Sequence, residues 1–235
     1  MSLAERATGS ELMDDPAVAP AQMRSTLANL DRVNRFLGGW GATIALLAPR
    51  IRARCGGVVT VLDVGAGSAA TAGAVRRATR SSGAEPRFVL LDRHAAACAV
   101  ATDAVVVRAD VLELPFADGA FDFVHASLLL HHLSDDEIPR ALGEMRRVAR
   151  EGVVVNDLHR HALALVAIRW ITRLFPWDPL GRHDGPLSVR RGFRRGDLER
   201  WRRVPGFERL GYRWRWPFRW LVWCFADGGT PDGAR

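Results

Sequence analysis

Val58-Val-Thr-Val-Leu-Asp-Val-Gly-Ala-Gly-Ser-Ala-Ala-Thr71 is the stretch on which the reading of this chain turns. Five of the seven residues from Val58 to Val64 are Val or Leu, the composition of a parallel strand buried on both faces. Asp63 stands at the end of that strand. Gly65 and Gly67 allow a tight turn and a close backbone approach, and the amides of the helix that starts behind them face whatever lies there. The pattern predicts a nucleotide-like ligand at this turn. Two other readings stay open from these residues alone. Gly65 to Ala70 also fits the G-x-G-x-x-A form of the dinucleotide fingerprint, and glycines of this kind can serve packing without any ligand.

The 235 residues suit one α/β domain with an appended cap and are enough to bury a large core. A hydrophobic content of 48% with 25% charged residues excludes a disordered chain. The formal net charge of +7 comes from arginine alone, since the sequence has no lysine. These arginines are spread through the helices and the carboxy-terminal third, which argues for compositional bias and against a nucleic-acid surface. Cys55, Cys98 and Cys224 are far apart, without a C-x-x-C or Cys/His cluster, as expected of a protein in a reducing cytoplasm that holds no zinc or other metal. Met1-Ser-Leu-Ala-Glu-Arg6 leads to acids and prolines, so no secretory signal is read. The apolar runs are broken by arginine before they reach membrane-spanning length.

Residues 1 to about 20 read as a loose leader. Met23, Leu27, Leu30, Val33 and Leu37 then recur at helical spacing until Gly38-Gly39, and Ile44, Leu47, Ala48 and Ile51 continue the pattern to Cys55-Gly-Gly57. These two helices precede the first strand and can pack on the sheet or fold over its ligand edge. A helix over Ala70 to Arg80 follows the glycine turn. Arg87-Phe-Val-Leu-Leu-Asp92 is a second short strand closing on an acid, which sets Asp92 beside the glycine turn, where a carboxylate can accept two hydrogen bonds from a ribose diol. Ala104 to Asp110 repeats the form. Asp110-Val-Leu-Glu-Leu-Pro-Phe-Ala-Asp-Gly-Ala-Phe-Asp-Phe-Val-His-Ala-Ser127 then gives a Pro/Gly loop and a fourth strand over Phe121 to Ser127.

From about Val58 to Leu158 the chain resembles the class I S-adenosylmethionine-dependent methyltransferases, in particular their ubiquinone/menaquinone-type and small-molecule natural-product branch. The resemblance rests on D-V-G-A-G at Asp63 to Gly67, the second-strand Asp92, and A-D-V-L-E-L-P-F-x-D-x-x-F-D-x-V from Ala109. It implies a doubly wound, mostly parallel, seven-stranded Rossmann-like sheet with an antiparallel last strand, and S-adenosylmethionine as cofactor, leaving as S-adenosylhomocysteine. By the same resemblance Gly65, Ala66 and Gly67 lie under the methionine and ribose, and Asp63 holds the amino-acid end. Asp92, with Arg93 beside it, takes the ribose hydroxyls. Asp110 takes the adenine amino group, the backbone at Val111 the ring, and Ala126 and Ser127 border the methionine chain. Ala69 is a departure, because the family usually has a third glycine there; a small backbone shift and weakened cofactor binding are expected from it.

Leu128-Leu-Leu-His-His-Leu-Ser-Asp-Asp-Glu137 follows the fourth strand. Ser134 and Glu137 make a capping box for a helix carrying Ile138, Leu142, Met145 and Ala149. His131 and His132 therefore sit beyond the carboxyl end of a parallel strand, where α/β folds put their chemistry. Similar His pairs stand beside the transferred methyl in O-methyltransferases of this class, and His131 is read as the base, with His132 bracing or orienting. Gly152 to Leu158 is the fifth strand, and Asp157 at its end can orient a histidine. With His159 and His161 directly after it, four histidines and one carboxylate are expected to cluster at two neighbouring strand ends.

Ala162 to Phe175 reads as an apolar helix lining a greasy pocket or buried on the amino-terminal helices, His183 to Phe193 as a polar loop, and Arg194 to Arg203 as a short helix. Tyr212-Arg-Trp-Arg-Trp-Pro-Phe-Arg-Trp220 alternates aromatics with arginines, as a strand pair with one aromatic and one guanidinium face would. Trp with Arg also suits peripheral contact with a membrane surface. The expected organisation is a leader and helical cap over 1–57 and a methyltransferase domain over 58–235, with a substrate-side insertion at about 159–195. The expected function is O-methylation of an apolar or aromatic small-molecule acceptor in secondary metabolism, of phenolic or polyketide type. Its rivals are a C-methyltransferase of a quinone or prenylated lipid at the membrane surface, a non-catalytic cofactor-binding module, and an NAD-dependent dehydrogenase.

Overall fold

The structure is a computed structural model that describes residues 3–100, 104–174 and 177–230. Its centre is one seven-stranded sheet. Strands β1 (Val58–Val64), β2 (Glu85–Asp92), β3 (Val105–Arg108), β4 (Phe121–Ser127) and β5 (Ala149–Leu158) run parallel, and the hairpin β6 (Gly211–Arg215) and β7 (Arg219–Phe225) closes one edge. The order is β3-β2-β1-β4-β5-β7-β6, with β7 antiparallel to both neighbours. Chain reversal between β1 and β4 opens a crevice at their carboxyl ends, the place where doubly wound sheets bind ligands.

Period-two alternation divides the core, interrupted in β4 by a register shift between Phe121 and Phe123 that sends these two rings to opposite layers. Val59 and Val61 of β1, Phe123 of β4, and Leu221 and Trp223 of β7 pack against α2 (Gly39–Arg52) and α3 (Ala70–Thr79) on one face of the sheet, and α1 (Pro20–Phe36) packs in turn against α2. Leu62, Val64, Val124, Ala126, Val153 and Val155 face the other layer, built from α5 (Glu137–Val148) and α8 (Arg195–Trp201). The short α4 (Ala95–Cys98) follows β2, and α6 (Ala162–Leu174) and α7 (Pro179–Arg191) form a helical pair between β5 and α8. The Ser134/Glu137 capping box is present, with Ser134 N–H donating to Glu137 at 2.8 Å and Glu137 N–H to the Ser134 hydroxyl at 3.3 Å. Phe175, assigned to the apolar helix, lies outside the described residues.

Two expectations about irregular segments are corrected. Residues 179–191, expected partly as a loop over His183 to Phe193, are helical: Pro179 starts the helix, and the Asp178 carboxylate accepts from Gly181 N–H at 3.0 Å as its cap. The same carboxylate takes the Thr26 hydroxyl and the Asn29 amide of α1, so one acid ties α7 to the cap. The leader, expected to be loose, is strapped down. Arg6 donates to the carbonyls of His131, Leu133 and Arg191, and the Leu12 and Met13 amides donate to buried Asp184 at 2.8 and 2.9 Å. Neither tie could be foreseen locally, because each joins segments more than a hundred residues apart.

The glycine turn pairs Gly65 (φ 66°) and Gly67 (φ 55°) with Ala69, whose φ of 66° lies in the same left-handed region. A side-chain-bearing residue there costs roughly 1–2 kcal/mol. Ala69→Gly should therefore stabilise the protein by about 0.5–1 kcal/mol after the added unfolded-state entropy of glycine is subtracted. The thermal midpoint should rise by roughly 1–4 °C for a chain of this size, and a fall would show that Ala69 is unstrained.

Candidate functional site

One cavity opens at the carboxyl ends of β1, β2 and β4. Of the residues singled out by sequence, Asp63, Gly65, Ala66, Gly67, Asp92, Arg93, Asp110, Val111, Ser127, His131 and His132 line it. Ala126 does not. Its side chain alternates to the opposite face of β4 and is fully buried in the core with α5, so the expected contact with the methionine chain is not made by this side chain. Asp157 also stands outside the lining, directly behind His131.

Asp63 is 2% exposed at the tip of β1. One of its oxygens is held by His125 Nδ1 at 2.7 Å, and His125 Nε2 meets the Thr43 hydroxyl of α2 at 3.0 Å. The other oxygen, Oδ2, is buried with no partner, although its side chain faces the cavity. A buried carboxylate oxygen of this kind wants a donor, and an ammonium group supplies one. Asp92 accepts from the His94 N–H at 2.9 Å and the Gly67 N–H at 3.4 Å. Burial pushes its pKa up against those two amides. Asp110 uses one oxygen on the Leu112 N–H at 2.9 Å and lines the same cavity as Asp63.

The cap closes this edge. A Cβ on Gly67 would come within 2.9 Å of Leu27 of α1, and one on Gly65 within 2.8 Å of Leu129, so both turn positions are packed as well as bent. The Ser68 hydroxyl donates to Asp31 of α1 at 2.5 Å. Arg219 of β7 was not foreseen as a site residue. It lines the cavity at 3% exposure, donates to Asn34 at 2.7 Å and to Asn156 at 3.5 Å, and burial lowers its pKa to about 10. It belongs to the alternating Arg/aromatic stretch, where its face could be read but not the cap that buries it.

At the other end of the cavity, His131 Nδ1 meets Asp157 at 2.7 Å and His132 Nδ1 meets Asp14 at 3.0 Å. Burial opposes ionisation of Asp157, but the facing His131 outweighs it and the pKa is lowered. Burial likewise pulls His132 down, and the carboxylates of Glu11 and Asp14 outweigh it, so its pKa is raised. Burial of Asp14 is in turn overcome by His132 and Arg93, and its pKa drops to about 2. Arg191 clamps the loop from behind, donating to the His131 carbonyl at 2.6 Å and the His132 carbonyl at 2.5 Å. Glu11 and Asp14 come from the leader and carry no motif by which a sequence could flag them.

The expected four-histidine cluster divides in two. His159 and His161 turn to the hairpin aromatics: Trp214 Nε1 donates to His159 Nδ1 at 3.1 Å, Trp220 lies edge-on to His159, and Phe218 stacks on His161. They do not line the cavity. Among the described residues, no helix is long and apolar enough to cross a membrane.

Residues 61–152 match the family model described as methyltransferase domain. A protein of Encephalitozoon cuniculi, provisionally named a methyltransferase, is 52% identical over 48 residues, which is 20% of this chain and 23% of that relative. The chain thus matches about a quarter of that curated relative's length. Solved structures share the whole architecture. The SAM-dependent methyltransferase of Aquifex aeolicus superposes with a TM-score of 0.56 at 15% identity, covering 88% of this chain and 98% of that one. The plantazolicin methyltransferase in complex with SAH gives 0.62 at 8% identity over 88% and 94%. The magnesium protoporphyrin IX methyltransferase of Synechocystis PCC 6803 gives 0.54 at 14% over 87% and 97%. The fold of this chain is the Rossmann-like fold of the SAM-dependent methyltransferases.

Burial first, then His161 and the guanidinium groups of Arg194 and Arg160, lower the His159 pKa from 6.5 to about 4. A histidine with a depressed folded-state pKa contributes its stability above pH 6.5 and loses it as the pH falls toward 4. His159 is only half-buried, so solvent screening reduces the effect to about 1 kcal/mol. The thermal midpoint should fall more between pH 7 and pH 5 in the natural protein than in His159→Gln, by roughly 2–4 °C. Parallel profiles would mean that His159 is not held neutral.

Proposed function

We propose that the protein is a SAM-dependent methyltransferase that methylates an oxygen of an apolar or aromatic small molecule, a phenolic or polyketide-like acceptor. The observation that carries this is the row of carboxylates at three strand tips, Asp63, Asp92 and Asp110, turned into one cavity around the Gly65/Gly67 turn. That row supports a cofactor with an ammonium, a ribose diol and an adenine amino group in sequence. The free oxygen of Asp63 suits the methionine ammonium, and buried Arg219 suits the methionine carboxylate. Asp92 suits the diol and Asp110 the adenine. When bound, this cofactor supplies an electrophilic methyl on a sulfonium.

Protein groups then have to align the acceptor, exclude water and relieve the acceptor of a proton. Met13, Met23, Leu30, Leu133, Ile168 and Val189 give the cavity an apolar lining that suits an apolar acceptor. His131 and His132 are its polar pair. Their Nδ1 atoms are engaged by Asp157 and Asp14, which leaves the Nε2 lone pair of His131 to accept the proton of an acceptor hydroxyl, with His132 orienting beside it. Asp157 is a positioning residue, acting through His131.

One observation favours a second reading, a lipid acceptor at a membrane surface. Leu163, Val166, Trp170 and Leu174 of α6 form an exposed stripe at helical spacing, flanked by Arg169 and Arg173. Salt-sensitive co-sedimentation with anionic vesicles would favour it over a soluble acceptor.

Calorimetric titration with S-adenosylmethionine and S-adenosylhomocysteine is the direct test. We expect binding of micromolar order, weakened roughly tenfold or more in Asp92→Ala and in Arg219→Met by loss of charged hydrogen bonds. A folded protein that binds neither compound would overturn the enzyme reading. With an acceptor in hand, Asp157→Asn should lower kcat by about 10–100-fold and leave cofactor affinity unchanged; an equal loss of cofactor binding would place Asp157 in the wrong half of the site.

A further inference from the structure

The two imidazoles and the leader glutamate at the acceptor end have a geometry that hydrogen bonding within the protein does not account for. His131 Nε2 stands 3.7 Å from one oxygen of Glu11, and His132 Nε2 stands 3.7 Å from the other. Both separations exceed a hydrogen bond. Glu11 is 3% exposed; its Oε2 accepts the Ser188 hydroxyl at 2.8 Å, while Oε1 is buried and has no partner. An unserved carboxylate oxygen at such depth is costly, and His131 Nε2 stands 3.7 Å from it.

We propose that Glu11, His131 and His132 bind one divalent cation of borderline softness, Zn2+ being the type, at the acceptor end of the cavity. One ligand atom from each of the three lies within 4.8 Å of the other two. Zinc bonds to nitrogen and carboxylate oxygen of about 2.0–2.2 Å span ligands that are roughly 3–4 Å apart, so closure onto an ion takes shifts of about an ångström or less. Each imidazole is already set for it. Asp157 on His131 and Asp14 on His132 engage Nδ1, at 2.7 and 3.0 Å, and so leave Nε2 to the metal. That is the carboxylate–histidine–metal arrangement, present twice. The Arg191 guanidinium fixes both carbonyls of the His-His pair, and Arg93 holds Asp14 at 3.1 Å, so both rings and one bracing acid are immobilised. Two nitrogens and one carboxylate leave at least one coordination position for an outside ligand, and all three side chains line the cavity.

The role of such an ion rests on the O-methylation reading. The acceptor hydroxyl coordinates it, its proton passes to solvent, and the oxygen's electron pair forms the new bond to the methyl carbon. The sulfur–carbon pair remains on sulfur, giving S-adenosylhomocysteine and the methyl ether. With the ion bound, the proton goes to solvent in place of the His131 Nε2 named above, and both imidazoles act through the cation. No H-x-x-x-H or Cys/His spacing announces this site, because one ligand comes from the leader and two from the loop after β4.

The test uses the full chain stripped with a chelator, then titrated with Zn2+ by calorimetry, with Co2+ absorption as a second readout and S-adenosylhomocysteine binding measured in parallel. One Zn2+ per chain is expected. Glu11→Gln and His132→Ala should each weaken it by 10-fold or more, Asp157→Asn should weaken it by about 10–100-fold, and His159→Gln should leave it unchanged. Zn2+ binding that is absent, or indifferent to both Glu11→Gln and His132→Ala, overturns the proposal. Retained S-adenosylhomocysteine binding in those variants shows them folded. Its absence from the natural protein counts against the methyltransferase reading and leaves the Zn2+ titration to decide the site by itself.

Discussion

The half-satisfied carboxylate of Asp63 is the constraint around which the structure is arranged. An acid at the tip of the central strand can be buried only if it is braced, and His125 and Thr43 supply a line of hydrogen bonds from β4 through to α2. The brace takes one oxygen and leaves the other buried without a partner on a side chain that lines the cavity. Burying a carboxyl oxygen without a donor costs stability, and a hydrogen-bond donor arriving in the cavity offsets that cost. The bracing also explains why α2 must pack where it does: Thr43 and the apolar residues Leu46, Leu47 and Ile51 lie along the buried side of this helix.

The cap and the leader turn a strand-end crevice into an enclosed site. Leu27 seats against the Gly67 position and Asp31 takes the Ser68 hydroxyl, so the turn cannot open without α1 moving. The leader crosses one end of the cavity and delivers Glu11 and Asp14 to the His131/His132 pair. Asp184 of α7, which sequence suggests as a polar loop residue, holds that strap by two backbone amides. The His131/His132 side of the cavity is thus assembled from the leader, the loop after β4, and α7, three segments that meet only in the folded chain.

Arginine does structural duty here that lysine could not. Arg191 and Arg6 each reach several carbonyls of the loop after β4, and Arg160 joins the Leu3 and Gly192 carbonyls to Asp197. A planar fork with five donors can satisfy several buried acceptors at once. Part of the arginine content is thus spent on internal ties.

The sheet, its five parallel strands and the acids at three of their tips were legible because they are local. Strand residues alternate or run apolar over a handful of positions, and glycine at a left-handed turn has few substitutes. The antiparallel last strand came from family likeness and not from periodicity. Tertiary structure alone decided which side chains reach the cavity. Ala126 and Ser127 are adjacent in sequence but face opposite layers, His159 and His161 turn to the hairpin aromatics, and Arg219 is drawn under α1. It also decided that Glu11 and Asp14 meet the two histidines, a contact across more than a hundred residues that no local pattern encodes. Sequence determines the turn that a chain can make; packing of distant segments determines what that turn faces.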